Sequence, residues 1–249
     1  MNFRLNRNEK GEKKVFHLKY GIIPACDVKS VSDLENLVEL TAGIEGIVGY
    51  KVGFSLGLGH GLQTVVDTIE KHSDLPIIYD HQKAGTDIPQ MGELFARTCK
   101  ASGITGVIIF PQAGPVTEEA FISALFSEDL IPLVGGEMTH PKYLGKDGGF
   151  IRDEAVEEMY LTGARNGVTY FIGPGNKPER INHYVKLLKN EISQPMFCMP
   201  GIGRQGGDIK SAFEATEGLP AYGIVGSAIY GASDMREAAK KYCKEALEL

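Results

Sequence analysis

From residue 21 onward, short β-branched apolar runs alternate with longer stretches of helical period. The runs fall at 21–26 (GIIPAC), 47–53 (IVGYKVG), 75–80 (LPIIYD), 106–110 (GVIIF), 129–134 (DLIPLV), 168–172 (VTYFI), 195–199 (PMFCM) and 222–226 (YGIVG). Each is brief and nearly all apolar, the pattern of parallel strands covered on both faces. Between them the spacing predicts helices. Ser32-Asp-Leu-Glu35 opens the first as a capping box, ahead of an apolar stripe at Leu34, Leu37, Val38 and Leu40. The others are predicted at 62–72, 90–102, 117–127, 153–165, 178–190, 208–216 and 233–247. Eight strands, each followed by a helix, make an α/β (β/α)8 TIM barrel the economical fold, in one domain over 21–249. A doubly wound open sheet is the alternative, because strand count does not establish closure. Residues 1–20 are polar and mostly basic and read as an N-terminal extension, a solvated tail.

Composition narrows the class. The 249 residues are 43% hydrophobic and 23% charged, ordinary values for a globular chain with a sizeable core. Acidic residues outnumber basic ones 32 to 26, which argues against broad nucleic-acid binding but leaves room for a local basic pocket. No apolar run approaches the ~18 residues of a membrane-spanning helix. The opening MNFRLNRNEKGEKK lacks the apolar core of a signal peptide. Cys26, Cys99, Cys198 and Cys243 show no CxxC and no paired zinc spacing, so reduced thiols and a cytoplasmic setting are expected.

In such a barrel the site forms at the C-terminal ends of the strands. Asp27 ends the first run and Lys51 lies in the second. The third leads into Asp80-His-Gln-Lys83-Ala-Gly-Thr-Asp87-Ile-Pro89, and the fifth into Gly136-Glu-Met-Thr-His-Pro141. Ionisable groups at the ends of apolar strands are costly unless paired, so their convergence predicts a charged catalytic network. Structural ion pairs closing the barrel top are the competing reading. Gly-rich stretches follow the last three runs: Gly173-Pro-Gly-Asn-Lys-Pro178, Pro200-Gly-Ile-Gly-Arg-Gln-Gly-Gly-Asp208 and Gly226-Ser-Ala-Ile-Tyr230. Loops after strands seven and eight commonly cradle phosphate in these barrels. By contrast GLGHG at 57–61 lacks the GK(S/T) ending of a phosphate loop.

Taken in order, these segments resemble the orotidine 5′-monophosphate decarboxylase family over about 21–235. The pieces that carry the resemblance are KVG at Lys51–Gly53, Asp80…Lys83…Asp87-Ile-Pro, Glu137-Met-Thr-His-Pro141, GPGNKPER at 173–180, PGIGRQGGD at 200–208 and VGSAIY at 225–230. The resemblance implies decarboxylation of orotidine 5′-monophosphate to uridine 5′-monophosphate and CO2 in pyrimidine biosynthesis, with neither metal nor organic cofactor. It also implies a homodimer with shared sites and, as partner, a small nucleotide substrate. Lys51, Asp80, Lys83 and Asp87 match the family's alternating Lys–Asp–Lys–Asp network, with Asp87 reaching into the partner's site. Asp27 matches the residue that holds the ribose or the neighbouring lysine, Thr139 a hydroxyl on the pyrimidine, and Gln205 a bridge between base and phosphate. Gly203, Gly226 and Ser227 fall on the expected phosphate cradle.

Two departures stand out. The family spacing is DxKxxD, whereas here each interval between Asp80, Lys83 and Asp87 is one residue longer. A bulge or turn at Gly85 would restore the lysine's direction. The family's arginine after the strand-eight glycine is Ser227 here, and Arg204 on the strand-seven loop is the candidate replacement. His81 and His140 are expected to orient loops, Glu137 to be a structural carboxylate, and Lys177 and Arg180 to form a helix-start salt bridge. The alternatives are a catalytically silent nucleotide- or phosphate-binding barrel and a Mg-dependent sugar-phosphate synthase or decarboxylase of the same superfamily.

Overall fold

The structure is a computed structural model that describes residues 6–7, 13–81 and 85–249. Eight parallel strands form one sheet: β1 (Tyr20–Pro24), β2 (Tyr50–Gly53), β3 (Ile77–Asp80), β4 (Gly106–Ile109), β5 (Ile131–Gly135), β6 (Tyr170–Ile172), β7 (Met196–Met199) and β8 (Ala221–Val225). Each of β2 to β8 pairs with its sequence neighbour, and β8 pairs with β1 from Ala221–Tyr20 to Val225–Pro24. The remaining seam, between β1 and the β2 segment, closes through the bridges Ile22–Ile47 and Ala25–Lys51. The sheet is therefore a barrel and not the open doubly wound alternative. The helices are α1 (Val31–Thr41), α2 (Phe54–His60), α3 (Leu62–Glu70), α4 (Met91–Ala101), α5 (Pro115–Ser127), α6 (Asp153–Arg165), α7 (Pro178–Lys189), α8 (Ile209–Glu214), α9 (Ser227–Tyr230) and α10 (Met235–Leu247).

Strand alternation divides the core in two. Ile23, Ala25, Ile78, Ile108, Leu133, Ile172, Cys198 and Ile224 fill the barrel interior, while their neighbours Ile22, Tyr79, Val107, Val134, Phe171, Phe197 and Val225 face the helices. The same alternation carries Asp27 and Asp80 inward, two residues beyond Ala25 and Ile78. At β2 the alternation breaks. Val48 belongs to the interior cluster, yet Tyr50 and Val52 face the helices. The irregular step at Val48–Gly49 turns Lys51 inward and starts regular β2 at Tyr50 rather than at 47.

The expected tail to residue 20 differs from what is observed at 15–20. Val15 and Phe16 are buried among the N-terminal ends of the strands. The Phe16 ring stands 4.4 Å from Tyr222 and 5.6 Å from Tyr170, and the Val15 amide donates to the Tyr170 hydroxyl at 2.9 Å. The physical reason is plain: the short strands leave an apolar floor open, and burying a Phe there contributes roughly 1.5–3 kcal/mol. The first helix also begins earlier than expected. Ser30, not Ser32, is its cap, accepting from the Asp33 amide at 3.1 Å and donating to the Asp33 carboxylate at 2.7 Å. Helix α2, which the sequence reading did not expect, stops at Gly61, whose φ of 79° no β-carbon-bearing residue adopts easily.

Candidate active site

A cavity of about 300 Å3 opens at the C-terminal mouth of the barrel. Its charged wall is built by β1, β2 and β3. Lys51 Nζ donates to Asp80 Oδ2 at 3.0 Å and to Asp27 Oδ2 at 3.2 Å. Lys51 and Asp80 are buried, whereas the Asp27 side chain is 41% exposed. Burial alone would depress the lysine, but Asp80 and Asp27 outweigh it and hold the ammonium above its ordinary value. The glycine of KVG makes this clamp possible. A β-carbon at Gly53 would stand 2.7 Å from Asp27 Oδ1, so the position admits the carboxylate only because it carries none.

The opposite wall comes from β5 to β8. Thr139 follows β5, Arg204 and Gln205 lie on the loop after β7, and Gly226, Ser227 and Tyr230 follow β8. Arg204 is exposed, its guanidinium lying against Gly231, and among the described residues it has no carboxylate partner. Gly203 shapes the turn that presents it: φ is 83°, and its amide donates to Gly207 O at 2.8 Å. Ile108, Phe110, Ile172 and Ile224 make an apolar floor. A cavity with an apolar base and a few convergent polar groups is the usual form of a small-ligand site.

Of the residues singled out in the sequence, Asp27, Lys51, Asp80, Glu137, Thr139, Arg204, Gln205, Gly226 and Ser227 line this one cavity. Gly203 is set just behind the wall. Asp87 is exposed and off the cavity; its carboxylate accepts from the Ile88 amide at 2.7 Å, and its carbonyl accepts from the Thr117 hydroxyl at 3.0 Å. Lys83 lies outside the described residues. Gly85, between Lys83 and Asp87, adopts a left-handed conformation with φ 84°. His81 bonds the Tyr79 hydroxyl through Nδ1, and His140 sits exposed at the edge of Tyr143. Glu137 is buried and bonded by Lys177 and Arg180, the expected salt bridge. Sequence reasoning missed Tyr230 and the apolar floor; strand alternation carried the signal for the latter.

Fold and site together define the class: a (β/α)8 barrel with a charged, ligand-sized cavity at the strand C-termini. The model of the "Orotidine 5'-phosphate decarboxylase / HUMPS family" matches residues 21–242, and the chain belongs to that family. An orotidine 5'-phosphate decarboxylase of Pyrococcus abyssi is 33% identical over 90% of this chain and 98% of its own length. One from Methanococcoides burtonii is 30% identical over 91% of this chain and 97% of its own. The crystal structure of a Pyrococcus horikoshii orotidine 5'-phosphate decarboxylase superposes with a TM-score of 0.74 at 29% identity, covering 90% of this chain and 98% of that one. The Methanocaldococcus jannaschii orotidine 5'-monophosphate decarboxylase, complexed with the inhibitor BMP, reaches 0.79 at 24% identity over 91% and 98% of the two chains.

Proposed function

We propose that this chain decarboxylates orotidine 5′-monophosphate to uridine 5′-monophosphate and CO2. The observation that carries the reading is Lys51 held between Asp27 and Asp80 on the wall of the barrel-mouth cavity. Within the family, a metal-dependent sibling would need an acidic, metal-linked residue at that position. Here a buried ammonium already satisfies both carboxylates, and its charge opposes a divalent cation.

Loss of CO2 leaves an electron pair on carbon 6 of the pyrimidine. Fixed cations aimed at that developing charge stabilise the transition state more than the bound substrate. In this reading Lys83 supplies the stabilising charge and then the proton that replaces CO2. Lys51 and Asp80 orient it, and Asp27 meets the ribose. Thr139 and Gln205 meet the base, and Arg204, with the turn at Gly203 and the backbone of Gly226 and Ser227, grips the phosphate. Positioned proton transfer supplies roughly 10²–10⁴-fold, whereas large enzymatic accelerations need about 8–23 kcal/mol. Preorganised charge and remote phosphate binding must therefore carry most of the barrier reduction.

The reading includes a homodimer in which Asp87 serves the neighbouring site. Its support is that Asp87 is exposed and off its own cavity, and that Phe54, Leu58, Ile88, Leu94 and Val116 are exposed on the three successive units after β2, β3 and β4. Light scattering at catalytic concentration should give twice the chain mass; a monomer contradicts the shared site. A cytoplasmic setting fits four buried, unpaired cysteines. The activity is tested by following loss of orotidine 5′-monophosphate absorbance in chelator-containing buffer. Turnover is expected. A folded protein that binds uridine 5′-monophosphate without turnover would instead be the silent barrel.

A further inference from the structure

On the base side of the cavity, with Glu137 itself in the lining, lies a second charge cluster that the proposed chemistry does not use. Glu137, with a side chain only 2% exposed, accepts from Lys177 Nζ at 2.8 Å through one oxygen and from Arg180 Nε at 2.8 Å through the other. The Tyr184 hydroxyl also donates to it. Burial pushes the carboxyl up, but the three donors more than compensate and hold it ionised below its ordinary value. The cluster reaches the loop after β5 at two further points. Lys177 Nζ donates to Met138 O at 3.0 Å, and Asn176 Nδ2 donates to Thr139 O at 3.3 Å. Thr139 in turn packs on Gly201, where a β-carbon would come within 2.9 Å of its methyl group. Residues 137–139 are thus tied to the start of α7 by Glu137 with its donors and, separately, by Asn176, while Thr139 packs on the β7 loop.

We infer that Glu137 is a positioning residue that sets Thr139 against the base of the nucleotide, an inference that rests on the function proposed above. Its carboxylate gathers Lys177, Arg180 and Tyr184 from α7 and its N-terminal cap onto the loop that carries Thr139. Without that charge, Lys177 and Arg180 lose the anion they share, and the loop loses its charged tie to α7. A misplacement of about 1 Å in a substrate-positioning group can cost on the order of 10²-fold.

The test compares ligands with and without a base. Calorimetry on wild type and Glu137→Gln would use uridine 5′-monophosphate and ribose 5-phosphate. Glu137→Gln should weaken the nucleotide about tenfold or more and leave ribose 5-phosphate within about twofold, since the phosphate side is untouched. The KM for orotidine 5′-monophosphate should rise with the same selectivity. In a Thr139→Ala background the same change should cost little further, because the effect runs through Thr139. Lys177→Met, which keeps Arg180 and Tyr184 on Glu137 but removes both the ion pair to one Glu137 oxygen and the Met138 tie, should show a smaller loss of the same kind. Equal loss of both ligands, no loss of either, or full additivity with Thr139→Ala would each overturn the assignment. Failure of the wild type to bind uridine 5′-monophosphate or to turn over would instead remove the underlying function, so the two failures are distinguishable.

Discussion

The molecule carries two charge clamps of opposite sign on one cavity. At the first, a buried cation, Lys51, sits between the carboxylates of Asp27 and Asp80. At the second, a buried anion, Glu137, sits between Lys177 and Arg180. Each central charge keeps its ionised form against burial because two opposite charges surround it. The difference lies in what the surplus charge faces. The Lys51 clamp leaves a net negative charge beside the proposed reacting carbon, suited to holding a second lysine charged. The Glu137 clamp leaves a net positive charge and spends a further bond, from Lys177, on the Met138 carbonyl of a loop. In the proposed function, similar electrostatics would thus serve chemistry in one place and geometry in the other. A buried ion pair by itself is weak evidence for stability, which is why the partners of each clamp, rather than its presence, decide its role.

The largest effect expected is at the first clamp. Lys51→Met should cost about 10⁴-fold in kcat/KM, about 5.5 kcal/mol of transition-state stabilisation, and should lower the Tm because Asp80 is left buried without that ammonium. Steady-state kinetics beside thermal melts would show both; near-normal turnover would reduce the clamp to a structural role.

A buried glutamate outside both clamps sharpens the comparison. Glu118 on α5 is 1% exposed, and among the described residues its Oε1 atom has no hydrogen-bond partner. Burial first, and Glu119 second, push its carboxyl up to about 8, only partly offset by the Gly163 amide. The two glutamates therefore give stability opposite pH dependences. Glu137, held low when folded, contributes stability that is present above the ordinary carboxylate value and is lost as pH falls through its folded value. Glu118, held high, contributes stability that is complete below the ordinary value and is lost as pH rises toward 8. Glu118→Gln removes that dependence, so its stability relative to wild type should rise by up to about 3–4 kcal/mol between pH ~5 and ~8. Denaturant titrations at the two pH values measure this; a constant offset would mean that Glu118 finds a partner or water in solution.

A smaller effect is expected at the phosphate side. Arg204→Ala should weaken uridine 5′-monophosphate by roughly 10–100-fold, the scale of charged hydrogen bonds at about 1.5–3 kcal/mol, while leaving uridine unchanged. Equal losses for both ligands would remove Arg204 from the phosphate.

Much of this architecture was legible in the sequence, because buried parallel strands and amphipathic helices leave plain periodic traces. Every expected strand is found with its ends shifted by at most three residues. The largest shift is at β2, where the irregular step at Val48–Gly49 is invisible to pattern yet is what turns Lys51 inward. Short α2 and α9 escaped notice because Gly57 and Gly59 in one, and a length of four residues in the other, leave no period to read. The plug of Val15 and Phe16 was hidden by the basic residues before it. Asp27 and Asp80 could be placed because they close apolar strand runs, and Lys51 because KVG carries the family resemblance. A structural role for Glu137 and a salt bridge at Lys177 and Arg180 were each legible, but not that the three meet. That Lys177 also reaches Met138 O was not legible, since backbone carbonyls leave no mark in a sequence. Nothing in the sequence marks Glu118 as buried, since its burial comes from the packing of α5 on its neighbours.

The most direct test of the central claim, a charged network that decarboxylates without assistance, is a paired assay of wild type and Lys83→Ala on orotidine 5′-monophosphate in chelator. Uridine 5′-monophosphate binding is measured on both proteins. Wild-type turnover with release of CO2, and loss of turnover in the variant at nearly unchanged nucleotide affinity, is the result expected. Equal turnover by the two proteins would contradict it.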